Sequence, residues 1–171
     1  MWIIVAAALV PLALVSPATA LAQAEDGGPA WLTGIGIANY ALAEEHGTGW
    51  GPEAVVRRRL GPVIVVQARV TVIPTSSGFY DFGGAAVDLG VGVLVVSGNI
   101  DVALVAGASA LGGGDSDGSY YTAGGAHLMA QATGWLSRAV GLYGNVATRL
   151  MAGSGADYGL TSGAAGLAFR F

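Results

Sequence analysis

Most of this chain alternates, residue by residue, between an apolar row and a row of glycine, alanine and isolated charges. In the stretch GGAAVDLGVGVLVVSG, the odd positions from Ala85 to Val95 are apolar, whereas the even positions from Gly84 to Gly92 carry Asp88 among small residues. Successive side chains of a β-strand point to opposite faces, so this period of two predicts a strand. A two-residue turn within the following SGN places the next apolar row, from Ile100 to Ala106, on the same side of the sheet.

Turn-forming clusters divide the rest of the chain into similar segments. Connections alternate between long polar stretches, such as EEHGTG and GGGDSDGS, and tight ones, such as VSGN and LSRA. An even number of strands with long loops at one rim and short turns at the other predicts an all-β fold, an eight-stranded antiparallel up-and-down transmembrane β-barrel. The eight predicted strands lie at about residues 30–43, 50–60, 63–74, 80–96, 99–111, 119–136, 139–152 and 158–171.

The second segment fits the alternation least well, because VVRRRL places arginine on both faces. A two-residue turn at Gly61 and Pro62 would bring Arg57 and Arg59 to the apolar side of the sheet. A bulge or a turn of odd length would remove this conflict.

The distribution of small residues predicts which face meets lipid. A soluble eight-stranded carrier of the lipocalin kind has polar residues along its outer row and apolar residues inside. In this chain the row that carries the charges also carries the glycine and alanine. Such a row suits the narrow interior of an eight-stranded barrel. The row of valine, leucine and isoleucine is therefore predicted to face lipid.

Aromatic residues lie near both ends of the predicted strands, as expected for side chains that prefer the two interfaces of a bilayer. The two groups are about ten residues apart, which at ~3.3 Å per residue and ~40° tilt spans about 25 Å, the height of an outer-membrane apolar band. The predicted girdle residues are Trp31, Trp50, Phe79, Tyr80, Phe82, Tyr120, Tyr121, Trp135 and Tyr158.

Polar residues on the inward row are the candidate functional residues. Buried charges must be paired or hydrated, so we expect a hydrogen-bonded network that fills the lumen rather than a conducting pathway. The predicted lumen network comprises Gln67, Arg69, Asp88, Asp101, His127, Gln131, Asn145, Arg149 and Arg170.

The composition excludes several classes of function. Cysteine is absent, which excludes disulfides and thiolate metal sites. Lysine is also absent, and the net charge of −4 leaves no basic patch for nucleic acid.

The first residues, MWIIVAAALVPLALVSPATALA, carry no charge and end in the small-residue pattern that signal peptidase reads. A retained anchor is the alternative, because the apolar run is nearly long enough to span a bilayer. The predicted domains are a cleavable signal peptide over 1–22, cut after Ala20 or Ala22, a short flexible lead over 23–29 and the barrel over 30–171.

The chain ends on the alternating stretch GAAGLAFRF. With this ending, residues 30–171 resemble the small eight-stranded outer-membrane barrels of Gram-negative bacteria, the outer-membrane protein A, X and W-like group. In that family the last strand carries an insertion signal, a polar residue, a glycine and two alternating aromatics, which the barrel-assembly machinery recognises. Gly166, Phe169 and Phe171 match these places, whereas Ala164 stands where the family has a polar residue.

The resemblance implies an integral protein of the bacterial outer membrane with both termini in the periplasm. Its implied partners are outer-membrane lipids, lipopolysaccharide and, during insertion, the assembly machinery. We expect a structural or surface-interaction role in the envelope. The alternative is a porin-like narrow channel or transporter for small or apolar solutes. No cofactor or metal is expected.

A lipid A-modifying enzyme is the third hypothesis, because some barrels of this size use a histidine with a serine. His127 lies within a strand, but Met129 stands where the deacylase type has its serine, so we expect no catalytic residues and no enzyme. His46 lies beside Glu44 and Glu45, where a solvated loop is expected. Asp115 and Asp117 resemble part of a calcium loop but lack its later carboxylate, so the same expectation holds.

Overall fold

The computed structural model of the chain describes residues 31–42, 48–74, 83–96, 99–114, 118–153 and 157–171. The strands are β1 Trp31–Leu42, β2 Thr48–Arg59, β3 Ile64–Ile73, β4 Gly83–Val96, β5 Ile100–Gly114, β6 Tyr120–Trp135, β7 Val140–Gly153 and β8 Asp157–Arg170. Each strand pairs antiparallel with the next, and β8 pairs with β1, so that the sheet closes into a barrel. The predicted all-β, eight-stranded, up-and-down topology is confirmed. Within the described ranges, no helix has the length and hydropathy needed to cross a membrane.

The two faces of the strands differ as the alternation predicts. Along β7, Leu150 is 70% exposed on the outer wall, whereas the adjacent Arg149 is 0% exposed inside. The same contrast holds between Leu89 and Asp88 of β4, and between Leu104 and Val105 of β5. The outer wall of the barrel is therefore apolar, whereas the charged side chains of the barrel are concentrated in its interior.

The β2–β3 connection resolves the conflict in VVRRRL through a turn of odd length. The backbone amide of Leu60 donates to the Ile64 carbonyl oxygen at 2.8 Å, which leaves residues 61–63 as the turn. Gly61 adopts a φ of 106°, a left-handed conformation that glycine tolerates without strain. Arg57 consequently pairs with Gln67 and is buried inside. Of the two resolutions that the sequence left open, the structure has the turn of odd length, and Arg57 and Arg59 do not lie on the apolar side.

The β4–β5 hairpin has the predicted register over most of its length. Val91 pairs with Ala106, so the two apolar rows share one side of the sheet as expected. Near the turn the register shifts between Leu94 and Val96, a bulge that the alternation alone does not reveal. Of the predicted turn residues Ser97, Gly98 and Asn99, the first two lie outside the described residues.

The barrel closes along the β1–β8 seam. The backbone of Trp31 exchanges two hydrogen bonds with that of Phe171, with N···O distances of 3.1 and 3.0 Å. Gly36 pairs with Gly166 across the seam, and Tyr143 of β7 is the neighbour of Gly166 on the other side. A Cβ atom on Gly36 would lie only 2.6 Å from the Tyr143 Oη atom. Glycine at this position therefore leaves space for the tyrosine hydroxyl group.

Apolar side chains occupy the interior above and below the ionic groups. At the long-loop end, Tyr40 and Leu160 are buried in one cluster, which we call the upper cluster. The other members of the upper cluster are Ile73, Ala123 and Met151. Nearer the short turns, a second cluster joins Val65, Leu94, Ala103, Val105, Met129 and Ala147.

Candidate functional site

The centre of the lumen is organised around the carboxylate of Asp88 on β4. The Arg69 guanidinium on β3 donates from Nε to Oδ2 at 2.7 Å, and the Arg149 guanidinium on β7 donates to both oxygens at 2.8 and 2.9 Å. The Ser109 hydroxyl on β5 donates to Oδ1 at 2.5 Å. Donors from three other strands therefore converge on a single carboxylate.

A second carboxylate, Glu53 on β2, extends this network across the barrel. Its Oε1 atom accepts hydrogen bonds from the Asn145 amide at 2.7 Å and from the Tyr143 hydroxyl at 3.2 Å. Its Oε2 atom lies 3.6 Å from Nη1 of Arg69, which also donates to the Asn145 Oδ1 atom at 3.2 Å. Arg69 thus joins Glu53 to Asp88.

The central network is balanced in charge. Two guanidinium groups, Arg69 and Arg149, face two carboxylates, Asp88 and Glu53, and all four residues are at most 3% exposed. Buried charges in an apolar environment are costly unless they are paired and hydrogen-bonded, and here each has its partners within the same layer. The Arg149 Nη1 atom donates in addition to Ser162 of β8 at 2.9 Å. Side chains from β2, β3, β4, β5, β7 and β8 therefore interlock across the lumen.

Two glutamines form a neutral layer on the short-turn side of this network. The Gln67 amide donates to the Gln131 Oε1 atom at 3.1 Å, and the Gln131 amide lies 3.5 Å from the Thr133 hydroxyl. The Gln67 Oε1 atom and the Arg57 Nη1 atom are buried without a hydrogen-bond partner among the described residues. Both side chains face the interior on paired positions of β2 and β3.

A third polar group lies at the short-turn rim. Trp135 donates from its indole Nε1 atom to Asp101 at 2.9 Å, and the Arg57 Nη2 atom lies 3.7 Å from the same carboxylate oxygen. The Arg170 guanidinium stacks over the Trp135 ring at 4.4 Å and donates to the Arg138 carbonyl oxygen at 3.2 Å. Trp135, a predicted girdle residue, therefore contributes to the mouth of the lumen. Arg170 lies at this rim, apart from the central network.

The structure brings most of the predicted lumen residues into the interior. Gln67, Arg69, Asp88, Asp101, His127, Gln131, Asn145 and Arg149 are all buried. Sequence reasoning missed Glu53 and Ser109, although both lie on inward positions of their strands. Glu53 was hidden because the parity of β2 depends on its turn, and Ser109 because a serine does not stand out in a row of small residues.

His127, Ser109 and Asp88 meet at the centre of the lumen, but their geometry does not activate a nucleophile. The Ser109 hydroxyl oxygen lies 3.2 Å from His127 Nδ1, and Asp88 lies 3.9 Å from the same nitrogen. In a catalytic triad the serine and the carboxylate bind opposite ring nitrogens, so that the imidazole relays the proton. Here the Ser109 hydroxyl instead donates its hydrogen bond to the Asp88 carboxylate.

The predicted girdle residues are distributed over both rims. Trp50 is 62% exposed near the long-loop rim, where Tyr120 and Tyr121 also lie. At the other rim the guanidinium of Arg58 stacks on the outer-wall ring of Trp31 at 5.1 Å. Tyr158 belongs to β8. Phe79, Tyr80, Phe82 and the predicted loop residues Glu44, Glu45, His46, Asp115 and Asp117 lie outside the described residues, as do residues 1–29.

Comparison with known structures finds the same barrel in several outer-membrane proteins. The attachment invasion locus protein Ail of Yersinia pestis superposes with a TM-score of 0.60 at 12% identity, over 84% of this chain and 99% of Ail. The outer membrane protein OprG of Pseudomonas aeruginosa gives 0.63 at 7% identity, over 84% and 96%. This chain has the fold of the small eight-stranded outer-membrane barrels. Neisserial surface protein A has the same barrel, with a TM-score of 0.60 at 13% identity, over 83% of this chain and 95% of that protein.

The likeness of the barrel to these proteins lies in the fold and not in the sequence. No model of a known protein family matches the chain. No curated protein sequence matches it either. Apolar outward rows, rather than particular residues, are what such barrels need in order to fold in lipid.

Proposed function

We propose that this chain is a β-barrel of the bacterial outer membrane with a structural or surface-interaction role in the envelope. The observation that carries the proposal is the separation of an apolar outer wall from an interior filled by an interlocked ionic network. An apolar outer wall is what a lipid bilayer requires of a spanning barrel. An interior filled by an interlocked network makes the barrel rigid and closed. The solved outer-membrane barrels with the same fold support the location.

The same interior argues against a continuous water pathway. The upper cluster occupies the lumen at the long-loop end, with Tyr40 at 1% and Leu160 at 3% exposure. Below it, Arg69, Arg149 and Asp88 bridge the lumen from wall to wall. An eight-stranded barrel leaves room for little besides such side chains. We therefore propose a non-conducting lumen.

A non-enzymatic role follows from the arrangement around His127. The histidine and Ser109 are both buried, and the serine proton is directed to Asp88. A lipid acyl chain could reach this serine only if the network around it opened. The proposal therefore assigns these residues to the folding of the interior.

A narrow channel for small solutes is the second candidate. It is favoured by the buried Arg57 Nη1 and Gln67 Oε1 atoms, whose unused hydrogen-bonding capacity could serve passing water. Planar-bilayer recording of the purified, refolded barrel distinguishes the two candidates. We expect no steady, discrete openings. Such openings in repeated preparations would establish the channel and exclude the closed barrel.

For the orientation, we propose that the short-turn rim and both termini face the periplasm. The proposed partners are outer-membrane lipids, lipopolysaccharide and the barrel-assembly machinery, which would recognise Gly166, Phe169 and Phe171. The closing position of β8 against β1 supports such a role, because the last strand must be in place before the barrel seals. Protease protection in intact cells, with a cleavage site introduced into residues 115–117, tests the orientation.

A further inference from the structure

The outer wall of the barrel contains a depression, which we call the wall groove. It is lined chiefly by Arg58, Val66, Ala68, Leu89, Val91 and Ala106 and has a volume of about 540 Å³. Alanine at two wall positions, beside the larger valines and leucine, lowers the surface there, and the backbone of Gly90 and Gly107 lies between them. The volume falls in the ~300–1,000 Å³ range of small-molecule sites.

The groove starts at the short-turn rim and extends along the outer wall toward the middle of the strands. Its lower row follows the cross-strand register from Trp31 to Arg58, Val66, Val91 and Ala106. Trp31 is the first residue of β1, whereas Ala106 follows the first residue of β5, Ile100, by six positions. At ~3.3 Å per residue, the far end lies about 20 Å along the strand from the rim. The groove thus connects the membrane interface with the apolar interior of the bilayer.

The two ends of the groove differ in chemistry. Arg58 is charged and exposed on the outward face of β2, and it forms no salt bridge with any described residue. Its guanidinium is oriented by the Trp31 ring at 5.1 Å, and a stacked guanidinium keeps its N–H edges available for a phosphate. Beyond Arg58 the lining is aliphatic. A cation at the interface followed by an aliphatic groove matches a lipid with an anionic headgroup.

We propose that the wall groove binds an anionic glycerophospholipid, with its phosphate at Arg58 and an acyl chain against Ala68 and Ala106. This proposal rests on the proposed membrane location of the barrel. It adds a specific lipid site to a wall that would otherwise contact lipids without preference.

Native mass spectrometry of the barrel released from detergent micelles tests the site. The protein is titrated with phosphatidylglycerol or with phosphatidylethanolamine of the same acyl chains. We expect one retained phosphatidylglycerol in preference to phosphatidylethanolamine. Arg58→Gln is expected to weaken this binding about fivefold, because one basic residue near a membrane surface contributes roughly that factor. Ala106→Leu is expected to weaken it as well, since the larger side chain fills the groove.

Two matched variants control for changes in charge and size. Arg138→Gln removes an arginine from the short turn between β6 and β7, and Ala130→Leu enlarges an exposed alanine on β6. Both are expected to bind phosphatidylglycerol like the parent protein. Equal binding of the two lipids, equal effects of Arg58→Gln and Arg138→Gln, or a protein dimer that excludes lipid would each overturn the proposal.

The gel mobility of unboiled against boiled protein keeps failure of the site separate from failure of the fold. Folded outer-membrane barrels resist detergent and migrate differently after boiling. Every variant is compared only after it shows this shift. A parent protein without the shift would refute the membrane barrel, whereas a shifted parent without lipid preference would refute the wall groove alone.

Discussion

At the scale of single residues, Asp88 organises the interior because Arg69, Arg149 and Ser109 all donate to its two oxygens. The alternation of the sequence placed Asp88, Arg69 and Arg149 on inward rows. The alternation did not predict that these side chains contact one another, since Arg149 follows Asp88 by 61 positions and the two meet only across the closed barrel. Which side chains meet in the lumen depends on how the barrel closes and on the stagger of its strands. An alternation with a period of two carries no information about either.

Asp88→Asn is expected to destabilise the folded barrel by about 3–5 kcal/mol, the usual cost of removing one partner from a buried ion pair. The substitution preserves the size of the side chain but leaves two buried guanidinium groups facing one carboxylate, Glu53. Urea unfolding of the barrel in lipid vesicles, followed by tryptophan fluorescence, measures the loss.

The double variant Asp88→Asn/Arg149→Gln is the matched control. It removes one charge of each sign, so its loss should be smaller than the sum of the two single losses. If the losses simply add, Asp88 and Arg149 are not energetically coupled, and the interior is not held together by this pair.

At the scale of strands, the sequence predicted the eight elements and left the β2–β3 connection open between a bulge and a turn of odd length. Inward and outward rows of β3 to β8 agree with the alternation, because a single buried or exposed face constrains every second residue. For the β2–β3 connection the alternation indicated a conflict that a bulge or a turn of odd length would remove, and the structure has the three-residue turn 61–63, in which Gly61 adopts a φ of 106°. Because this turn has three residues rather than two, the Arg57 side chain faces the interior of the barrel.

The β1–β8 seam predicts a contrast between two glycines. Gly36→Ala is expected to cost about 1–3 kcal/mol through overpacking, because its Cβ atom would clash with the Ala165 carbonyl oxygen and approach the Tyr143 Oη atom to 2.6 Å. Tyr143 would then lose its hydrogen bond to Glu53. Gly144→Ala is the control, since its Cβ atom meets only the Ala164 carbonyl oxygen, at 3.6 Å. Equal losses in urea unfolding would show that these two close contacts are not the cause.

The last strand gives a second prediction at this scale. Phe171→Ala keeps the backbone hydrogen bonds to Trp31 but removes the terminal ring. If the ring is part of an insertion signal, assembly into the outer membrane of cells should fall severalfold, while refolding of the purified chain into detergent should be unchanged. A refolding defect of the same size would assign the ring to stability instead.

At the scale of the whole molecule, the apolar excess of the sequence is explained by where it lies. The chain is 53% hydrophobic and 11% charged, and many large aliphatic side chains of the described strands are exposed on the outer wall. A soluble protein would expose such a surface to water at a large cost in free energy. In a membrane the same surface contacts the hydrocarbon chains of the lipids, and the charged side chains are paired in the barrel interior.

Spin-label accessibility in lipid vesicles tests this inverted arrangement most directly. The chain has no cysteine, so single labels can be placed at Val91→Cys and Leu104→Cys on the outer wall and at Ser119→Cys beyond the strands. We predict that the two wall labels collide readily with oxygen, which concentrates in hydrocarbon, and hardly at all with a water-soluble nickel chelate, whereas the Ser119 label shows the reverse. Wall labels as accessible to the chelate as the Ser119 label would contradict the lipid-facing wall and, with it, the membrane barrel.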